Sequence, residues 1–158
     1  DRPSVLPEWW SMGGAPTLLS YALSPGSKCG PGEEFSLCDA LVEAMPQSHR
    51  AFLSSLRSPY SCGDFFFTHA GARPGVALEL QREDDLMWIR EPFLSSQQDF
   101  GKMIVHGHTP VREPEMRHNR INIDTGAYAT GCLSILSIED SQLGLQLVSR
   151  AGVTTSIA

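Results

Sequence analysis

Three polar residues stand at the ends of short apolar runs, and their types are suited to binding a metal ion or a phosphate. His69 follows the run DFFFT, His108 follows KMIV within the segment HGHTP, and Asp124 ends the run RINID. Each lies near a glycine, which lets the backbone approach a ligand closely. Such runs predict buried strands, and ligands of α/β proteins gather just beyond the carboxyl ends of strands. We therefore predict one site where three strand ends meet.

His69 and His108 are candidate metal ligands, because neutral imidazole commonly binds divalent first-row metals. The two are 39 residues apart in the sequence, so only folding could bring them together. A zinc or manganese site needs about four to six ligands, and the sequence offers no further cluster of His or Cys. From the residues alone, a metal site and a pair of ordinary loop histidines both remain open.

The composition is that of an ordinary globular chain. Its 158 residues, 41% hydrophobic and with a net charge of -6, fit one domain with its own core and exclude intrinsic disorder. No run approaches the roughly 20 apolar residues of a membrane span. Eighteen acidic residues against twelve basic ones give no basic surface for nucleic acid. We therefore expect neither a membrane nor a nucleic acid as partner.

The cysteines and the first residues bear on the cellular context. Four scattered cysteines without a CxxC motif, and the lack of a signal peptide, predict reduced thiols and a cytoplasmic protein. The chain starts at Asp1 and its first methionine is Met12, which leads us to expect a piece of a longer protein.

The order of predicted elements indicates an α/β fold with more strand than helix toward the C-terminus. Frequent Pro and Gly predict loops and short turns over residues 1–33. Apolar spacing predicts a helix from Ser36 and a second helix that has Pro46 in its first turn and that Ser58-Pro59 ends. Residues 74–100 are predicted to be helical or irregular. The predicted strands are 64–68, 102–105 and 120–124, followed by a hairpin of 132–138 and 143–149 around 139–141.

Four motifs occur in an order that resembles the C-terminal half of the calcineurin-like metallophosphoesterases. They are THAG at 68–71, DLMWIR at 85–90, VHGHTP at 105–110 and NIDTGA at 122–127. The segment WWSMGG at 9–14, followed by TLLSY at 17–21, resembles the stretch just after the Gly-Asn-His-Glu motif of that family. The resemblance is greatest to the bacterial serine/threonine protein phosphatase branch, with its diadenosine tetraphosphatase relatives.

The resemblance implies part of a four-layer αββα sandwich whose N-terminal half is absent. Residues 1–158 would be the C-terminal portion of one metallophosphoesterase domain, with loops and helices in 1–60 and strands carrying the metal-site loops in 61–158. It implies a hydrolase of phosphoric esters, of serine/threonine protein phosphatase type, that uses in-line attack of a metal-bound hydroxide. A diadenosine tetraphosphatase-like hydrolase of nucleotide polyphosphates and a non-catalytic module of the same fold are the alternatives.

The family holds two divalent metal ions (Mn, Fe or Zn), and the resemblance assigns His69 and His108 to the second of them. Related enzymes have a further histidine ligand where this chain has Pro110, so no ligand is assigned there. His106 lies two residues before His108 and is interpreted as a packed histidine or one that supports a ligand. Asp124 either orients a ligand imidazole through a hydrogen bond or stabilises its own turn.

Arg90 and Arg73 are the candidate phosphate contacts. A phosphoryl group suits the rigid, permanently charged fork of guanidinium, and the family keeps arginines at its site. Arg90 is favoured, because DLMWIR resembles the segment that approaches the site. For both, the alternative is a surface ion pair with a nearby acidic residue. The many nearby acids include Glu83, Asp84 and Glu91. Asp84 and Asp85 are interpreted as a helix cap or a solvated pair.

The motifs that would supply the rest of the site do not occur in this chain. The family's Asp-x-His, Gly-Asp-x-x-Asp-Arg-Gly and Gly-Asn-His-Glu motifs carry the first metal, the bridging aspartate and the catalytic acid, and we expect them upstream of residue 1. The 158 residues alone are therefore predicted to be inactive. Expected partners are a phosphorylated protein or a nucleotide, together with a missing N-terminal half or another chain that covers the apolar strands Phe65–Phe67 and Ile104–Val105.

Overall fold

The structure is a computed structural model, and it describes residues 5–23, 34–140 and 142–157. The chain divides into two compact units, Asp1–Leu56 and Arg57–Ala158. Within the described ranges, no helix is both long enough and apolar enough to cross a membrane. The assignment of the whole chain to a single domain stays a prediction.

The first unit begins with helices where the sequence predicted loops. Helix α1 is Leu6–Trp9 and helix α2 is Ala15–Ser20, and between them the chain kinks at Met12 and Gly13, whose φ and ψ are not helical. The prediction of loops and turns is therefore wrong for α1 and α2 and agrees with the kink. Proline had been taken as a breaker, but Pro16 lies in the first turn of α2, where its missing N–H costs no helical hydrogen bond. The rest of that prediction, 24–33, lies outside the described residues.

The two predicted helices of the first unit are confirmed. Helix α3 is Glu34–Ala44 and helix α4 is Gln47–Ser55. Pro46 lies just before α4 rather than in its first turn, and its carbonyl accepts hydrogen bonds from the N–H groups of His49 and Arg50 at 3.0 and 3.1 Å. Helix α4 has no buried residue. Its apolar side chain Phe52 is 63% exposed.

The second unit contains a five-stranded sheet with the strand order β1-β2-β3-β5-β4. Strands β2, β3 and β5 are parallel to one another, and β1 and β4 pair antiparallel at the two edges. The predicted strands correspond to β2, β3 and β5, whereas the edge strands were not predicted. The bounds are Tyr60–Cys62 for β1, Phe65–Phe67 for β2, Met103–His106 for β3, Glu115–Met116 for β4 and Arg120–Asn122 for β5.

The connection from β2 to β3 is helical and irregular, as predicted. It contains a 3-10 turn at Leu78–Leu80 and helix α5 at Glu83–Trp88. Apolar residues of this connection pack on one face of the sheet and form the core. The buried members of that core are Phe66, Ala70, Ala72, Leu78, Leu86, Ile89, Phe93 and Ile104.

The central strands are covered on one face by residues of this chain. Phe66 and Ile104 are buried there, with exposed fractions of 5% and 0%, because the connection between β2 and β3 folds back over that face. The expectation that another chain or a missing N-terminal half covers these strands stays a prediction. Phe65 and Phe67 are only half-buried.

A second, three-stranded antiparallel sheet has the order β6-β7-β8. The strands are β6 at Leu133–Glu139, β7 at Gln142–Ser149 and β8 at Gly152–Ile157. The predicted hairpin is confirmed as β6 and β7, while β8 was missed. A short helix, α6 at Ala127–Thr130, connects β5 to β6. With two sheets and several helices, the chain is mixed α/β.

The thiols that the structure describes are free. They belong to Cys38, Cys62 and Cys132. The remaining cysteine, Cys29, lies outside the described residues.

Candidate functional site

Three parallel strands end at one edge of the five-stranded sheet, and a cavity of about 280 Å³ lies there. Its lining comes from the ends of β2, β3 and β5 and includes His69, Gly107, His108 and Asp124. The polar residues that the sequence placed after three separate strands are thus brought together. A larger cavity of about 530 Å³ is lined by 127–131 and 149–151 and contains no histidine.

His69 and His108 lie in direct contact. His69 Nε2 is 3.1 Å from His108 Nδ1, and the ring centroids are 4.9 Å apart at an angle of 61°. Two nitrogens bound to one ion at about 2.0–2.1 Å, with an angle of about 90–110° between them, lie about 2.8–3.4 Å apart. The observed separation fits two imidazole ligands of one ion. It also fits a hydrogen bond between the rings when one nitrogen carries a proton.

The backbone around His108 holds its ring in place. His108 has a φ of 66°, a left-handed conformation that is rare for residues with a side chain. The N–H of Gly107 donates to the carbonyl of His69 at 2.8 Å, and the N–H of Thr109 donates to the carbonyl of Gly107 at 2.8 Å. Strained backbone of this kind persists where the surrounding structure enforces it, and it concentrates at functional sites.

The environment of His108 favours its neutral form. Its pKa is lowered, first by burial and then by the positive charge of Arg90 and the neighbouring His69, while Asp124 opposes the shift. Its Nε2 atom is buried and has no hydrogen-bond partner among the described residues. Neutral imidazole is the form that binds a metal, so the local electrostatics suit a ligand.

His106 is a packed histidine on the core side of the sheet. It is 2% exposed, and its ring meets that of Phe93 at 4.9 Å and 81°. Burial lowers the pKa of His106 to about 4, so the ring is neutral at pH 7. Its Nδ1–H donates to the carbonyl of Gly107 at 3.1 Å, which braces the loop that carries His108. Any support it gives to His108 is therefore exerted through this backbone.

Asp124 stabilises its own turn, which is one of the two roles considered for it. Its Oδ1 atom accepts a hydrogen bond from the N–H of Gly126 at 2.9 Å. A Cβ atom on Gly107 would lie 3.1 Å from Asp124 Cβ, so the two loops approach closely at a residue without a side chain. Asp124 influences His108 through its charge, and no hydrogen bond joins the two in the described part of the chain.

Arg73 forms an ion pair with a nearby acid, Asp85, which is the alternative considered for it. Its Nε–H donates to Asp85 Oδ2 at 2.8 Å, and its NH2 group pairs with the other carboxylate oxygen. The Arg73 hydrogen bond lowers the pKa of Asp85. Asp85 is 9% exposed, so its interpretation as a helix cap or a solvated residue is wrong. The carboxylate of Asp85 thus accepts the hydrogen bonds that the guanidinium of Arg73 would offer to an anion.

Arg90 lies near the two histidines with its guanidinium exposed. Its positive charge contributes to the lowered pKa of His108. Arg90 forms no ion pair with any residue that the structure describes, in contrast to Arg73. Of the two arginines, Arg90 is the one whose guanidinium has no carboxylate partner among the described residues and is therefore accessible to an anion.

Trp88 is a residue of the site that sequence reasoning did not single out. It ends α5, and its indole meets the ring of His108 at 5.7 Å and 88°. It is 57% exposed, while its neighbours Leu86 and Ile89 are buried. The signal in the sequence was an aromatic residue two positions before Arg90, inside the motif DLMWIR.

The described residues do not form a complete metal centre by themselves. In residues 5–23, 34–140 and 142–157, no group of three or more His, Cys, Asp or Glu is arranged to hold an ion. His69 and His108 therefore form a pair of donors, to which further ligands would have to be added.

Comparisons with known proteins give short matches. No family model matches the chain. It is 54% identical over 33 residues to the asymmetrical bis(5'-nucleosyl)-tetraphosphatase PrpE of Halalkalibacterium halodurans, a match covering 21% of this chain and 13% of the relative. It is 53% identical over 34 residues to the protein of the same name from Anoxybacillus flavithermus, covering 22% of this chain and 14% of the relative. The chain is thus similar to these tetraphosphatases over about a fifth of its length.

Proposed function

We propose that this chain carries part of the active site of a metal-dependent phosphoric ester hydrolase. The observation that carries the proposal is the 3.1 Å separation of His69 Nε2 and His108 Nδ1 at the edge where three strands end. The short similarity to bis(5'-nucleosyl)-tetraphosphatases supports a hydrolase of this class.

His69 and His108 would hold one of the two divalent ions, Mn, Fe or Zn. The spacing of their nitrogens suits two ligands of a shared ion. A bound divalent ion supplies Lewis-acid polarisation of a phosphoryl oxygen. The remaining ligands and the catalytic acid belong, in this proposal, to residues outside the chain. Because those ligands and that acid would be missing from the 158 residues alone, the prediction that they are inactive follows.

Arg90 would bind the phosphoryl oxygens. Its guanidinium is exposed and its charge reaches His108, so an anion bound against the histidines would also meet Arg90. Arg73 fits this role less well, because Asp85 already accepts hydrogen bonds from its fork. Arg73 instead ties the loop after His69 to α5.

The substrate class that we propose is a nucleotide polyphosphate. Its support is the name shared by the two matched relatives. The serine/threonine protein phosphatase specificity and the cytoplasmic location predicted from the sequence have no such support and stay predictions. The four-layer αββα sandwich also stays a proposal, supported by two sheets in one unit.

Binding of Mn²⁺ tests the proposal, because this paramagnetic ion broadens the NMR signals of the groups that bind it. A pair of imidazoles binds weakly, so the titration of the 158-residue chain should extend to millimolar Mn²⁺. We expect the ring signals of His69 and His108 to broaden first, and His69→Ala to abolish the effect at His108.

His118 provides the control for this titration. It is exposed, and its Nε2–H donates to the carbonyl of Gln97 at 3.1 Å. His118→Ala should leave the broadening of His69 and His108 unchanged. Equal broadening of all histidine signals would contradict the proposal and favour a non-catalytic module of the same fold.

A further inference from the structure

Trp88 presents a fixed aromatic surface beside the two histidines. The backbone two residues before it is anchored to the loop of His69, because the carbonyl of Leu86 accepts hydrogen bonds from Ala70 N–H at 2.8 Å and from Thr68 Oγ1 at 3.0 Å. Ile89, directly after Trp88, is buried in the core. The backbone that carries Trp88 is thus fixed on both sides, while 57% of the residue's surface is exposed.

The neighbours of Trp88 are groups that bind phosphate. The indole stands perpendicular to the ring of His108 at 5.7 Å, and His108 contacts His69. Arg90 follows two residues later with an exposed guanidinium. A single exposed apolar side chain is normal on protein surfaces. An exposed indole beside two imidazoles and an arginine is a different case from a single exposed apolar side chain. A ligand that carries both an aromatic ring and a phosphate would contact all of these groups at once.

We infer that Trp88 is the stacking surface for the base of a nucleotide whose phosphate lies against His69, His108 and Arg90. The inference rests on the proposed function and adds to it the residue that selects a nucleoside. Stacking needs only the flat face of an aromatic ring, so it tolerates different bases. Trp88 would therefore select for a nucleoside without selecting a particular base.

A phenyl ring also stacks on an indole. Phosphotyrosine, which carries a phenyl ring and a phosphate, is therefore the competing ligand. We commit to the nucleobase, because its larger π surface covers more of an indole than a phenyl ring does and because the matched relatives are tetraphosphatases. Three probes separate the alternatives. ADP carries a base and two phosphates, phosphotyrosine carries a phenyl ring and one phosphate, and pyrophosphate carries no ring.

The indole N–H signals in the NMR spectrum of the 158-residue chain provide the direct readout. The chain has three tryptophans, and the signal missing in Trp88→Phe identifies Trp88. With millimolar Zn²⁺ present, ADP should shift the Trp88 signal and the ring signals of His69 and His108. Pyrophosphate should shift the histidine signals alone. The signals of Trp9 and Trp10 should not move with either probe.

Substitutions measure how much the indole contributes. We expect Trp88→Leu to weaken ADP binding about 5- to 150-fold, the range that stacking of one base spans, and to leave pyrophosphate binding unchanged. Trp88→Phe should retain most of the affinity. Phe52→Leu is the matched control, since Phe52 is also an exposed aromatic residue, and it should bind both probes as the unsubstituted chain does.

The outcomes separate this inference from the proposed function. If pyrophosphate shifts the histidine signals but ADP binds no more tightly and leaves Trp88 unmoved, the inference fails and the proposed function stands. If phosphotyrosine shifts Trp88 as strongly as ADP does, the assignment to a nucleobase is overturned. If none of the probes shifts the histidines, both proposals fall together. Should Trp88→Leu not fold, the shift of the Trp88 signal in the unsubstituted chain still decides.

Discussion

The two sheets of the second unit differ in the sequence separation between the strands that pair with each other. The central strands β2, β3 and β5 of the first sheet are parallel, and a connection of 35 residues, 68–102, separates β2 from β3. Strands β6, β7 and β8 are antiparallel and are joined by tight turns. Parallel pairing therefore collects loops from distant stretches at one edge, and the histidine pair lies at that edge. Hairpins bring together only neighbouring residues.

The two sheets also differ in burial. Ile104 and Ile121 in the parallel strands are fully buried. In the antiparallel sheet, Leu133, Ile135 and Val153 are 55%, 43% and 65% exposed. The positions of His69 and His108 thus depend on a tightly packed sheet, while the second sheet should tolerate substitutions better. Substitutions matched between the two sheets test this difference.

The largest effect is expected for Gly71→Ala, next to the loop of His69. A Cβ atom there would lie 2.2 Å from Phe93 Cδ1 in the core, and Gly71 has a φ of 152° that residues with side chains rarely adopt. We expect a loss of about 3–5 kcal/mol in the free energy of unfolding. Urea denaturation followed by circular dichroism measures it.

Gly144→Ala in β7 is the control for that substitution. Its new Cβ would lie 2.4 Å from Ser137 Oγ, but a hydroxyl at the end of a side chain can rotate away. The loss should be below about 1 kcal/mol. Equal losses for the two alanines would show that the sheets are packed alike.

Truncation of a buried isoleucine should have the next largest effect. Ile104→Ala removes a side chain that is fully buried in β3, whereas Ile135→Ala removes one that is 43% exposed in β6. We expect a loss of about 2–5 kcal/mol for the first and clearly less for the second. The same urea titrations measure both, and a larger loss for Ile135→Ala would contradict the assignment of the core.

The smallest of these effects is expected for Asp85→Asn, which weakens the ion pair with Arg73. Because the pKa of Asp85 is lowered in the folded chain, its contribution is present above its ordinary pKa of about 3.9 and is lost as the pH falls through the folded-state value. The stability difference between the unsubstituted chain and Asp85→Asn should therefore be constant from about pH 6 to 8 and shrink below about pH 4.

Glu115→Gln provides the matched case for this ion pair. Glu115 and Arg117 pair at 3.2 Å with side chains that are 44% and 49% exposed. Exposed pairs of this kind contribute little, so stability should hardly change. A pH dependence in Glu115→Gln as large as that in Asp85→Asn would remove the distinction between the two pairs.

Much of the site was predictable from the sequence, because its residues stand at the ends of apolar runs. The runs before His69 and His108 became β2 and β3, and parallel pairing alone then places the residues that follow them at one edge. The hairpin of β6 and β7 was also predictable, since its two strands are long and adjacent. In both cases local composition and a general rule of topology were sufficient.

Other features depend on contacts that local composition does not encode. Strands β1 and β4 have three and two residues, too few for any alternation to show. Pro16 looked like a breaker because proline in a first helical turn has the same sequence signature as proline in a loop. The ion pair between Arg73 and Asp85 depends on how the residues between them fold. The packing of Trp88 against His108 depends on the fold in the same way.

Anomalous diffraction from a crystal of the 158-residue chain soaked in millimolar Zn²⁺ would show whether His69 and His108 bind one ion. We predict an anomalous peak at about 2.0–2.1 Å from both His69 Nε2 and His108 Nδ1. The two rings would then no longer share a hydrogen bond. A peak bound to only one of the two histidines, or strong peaks elsewhere with the His69–His108 hydrogen bond intact, would contradict the account.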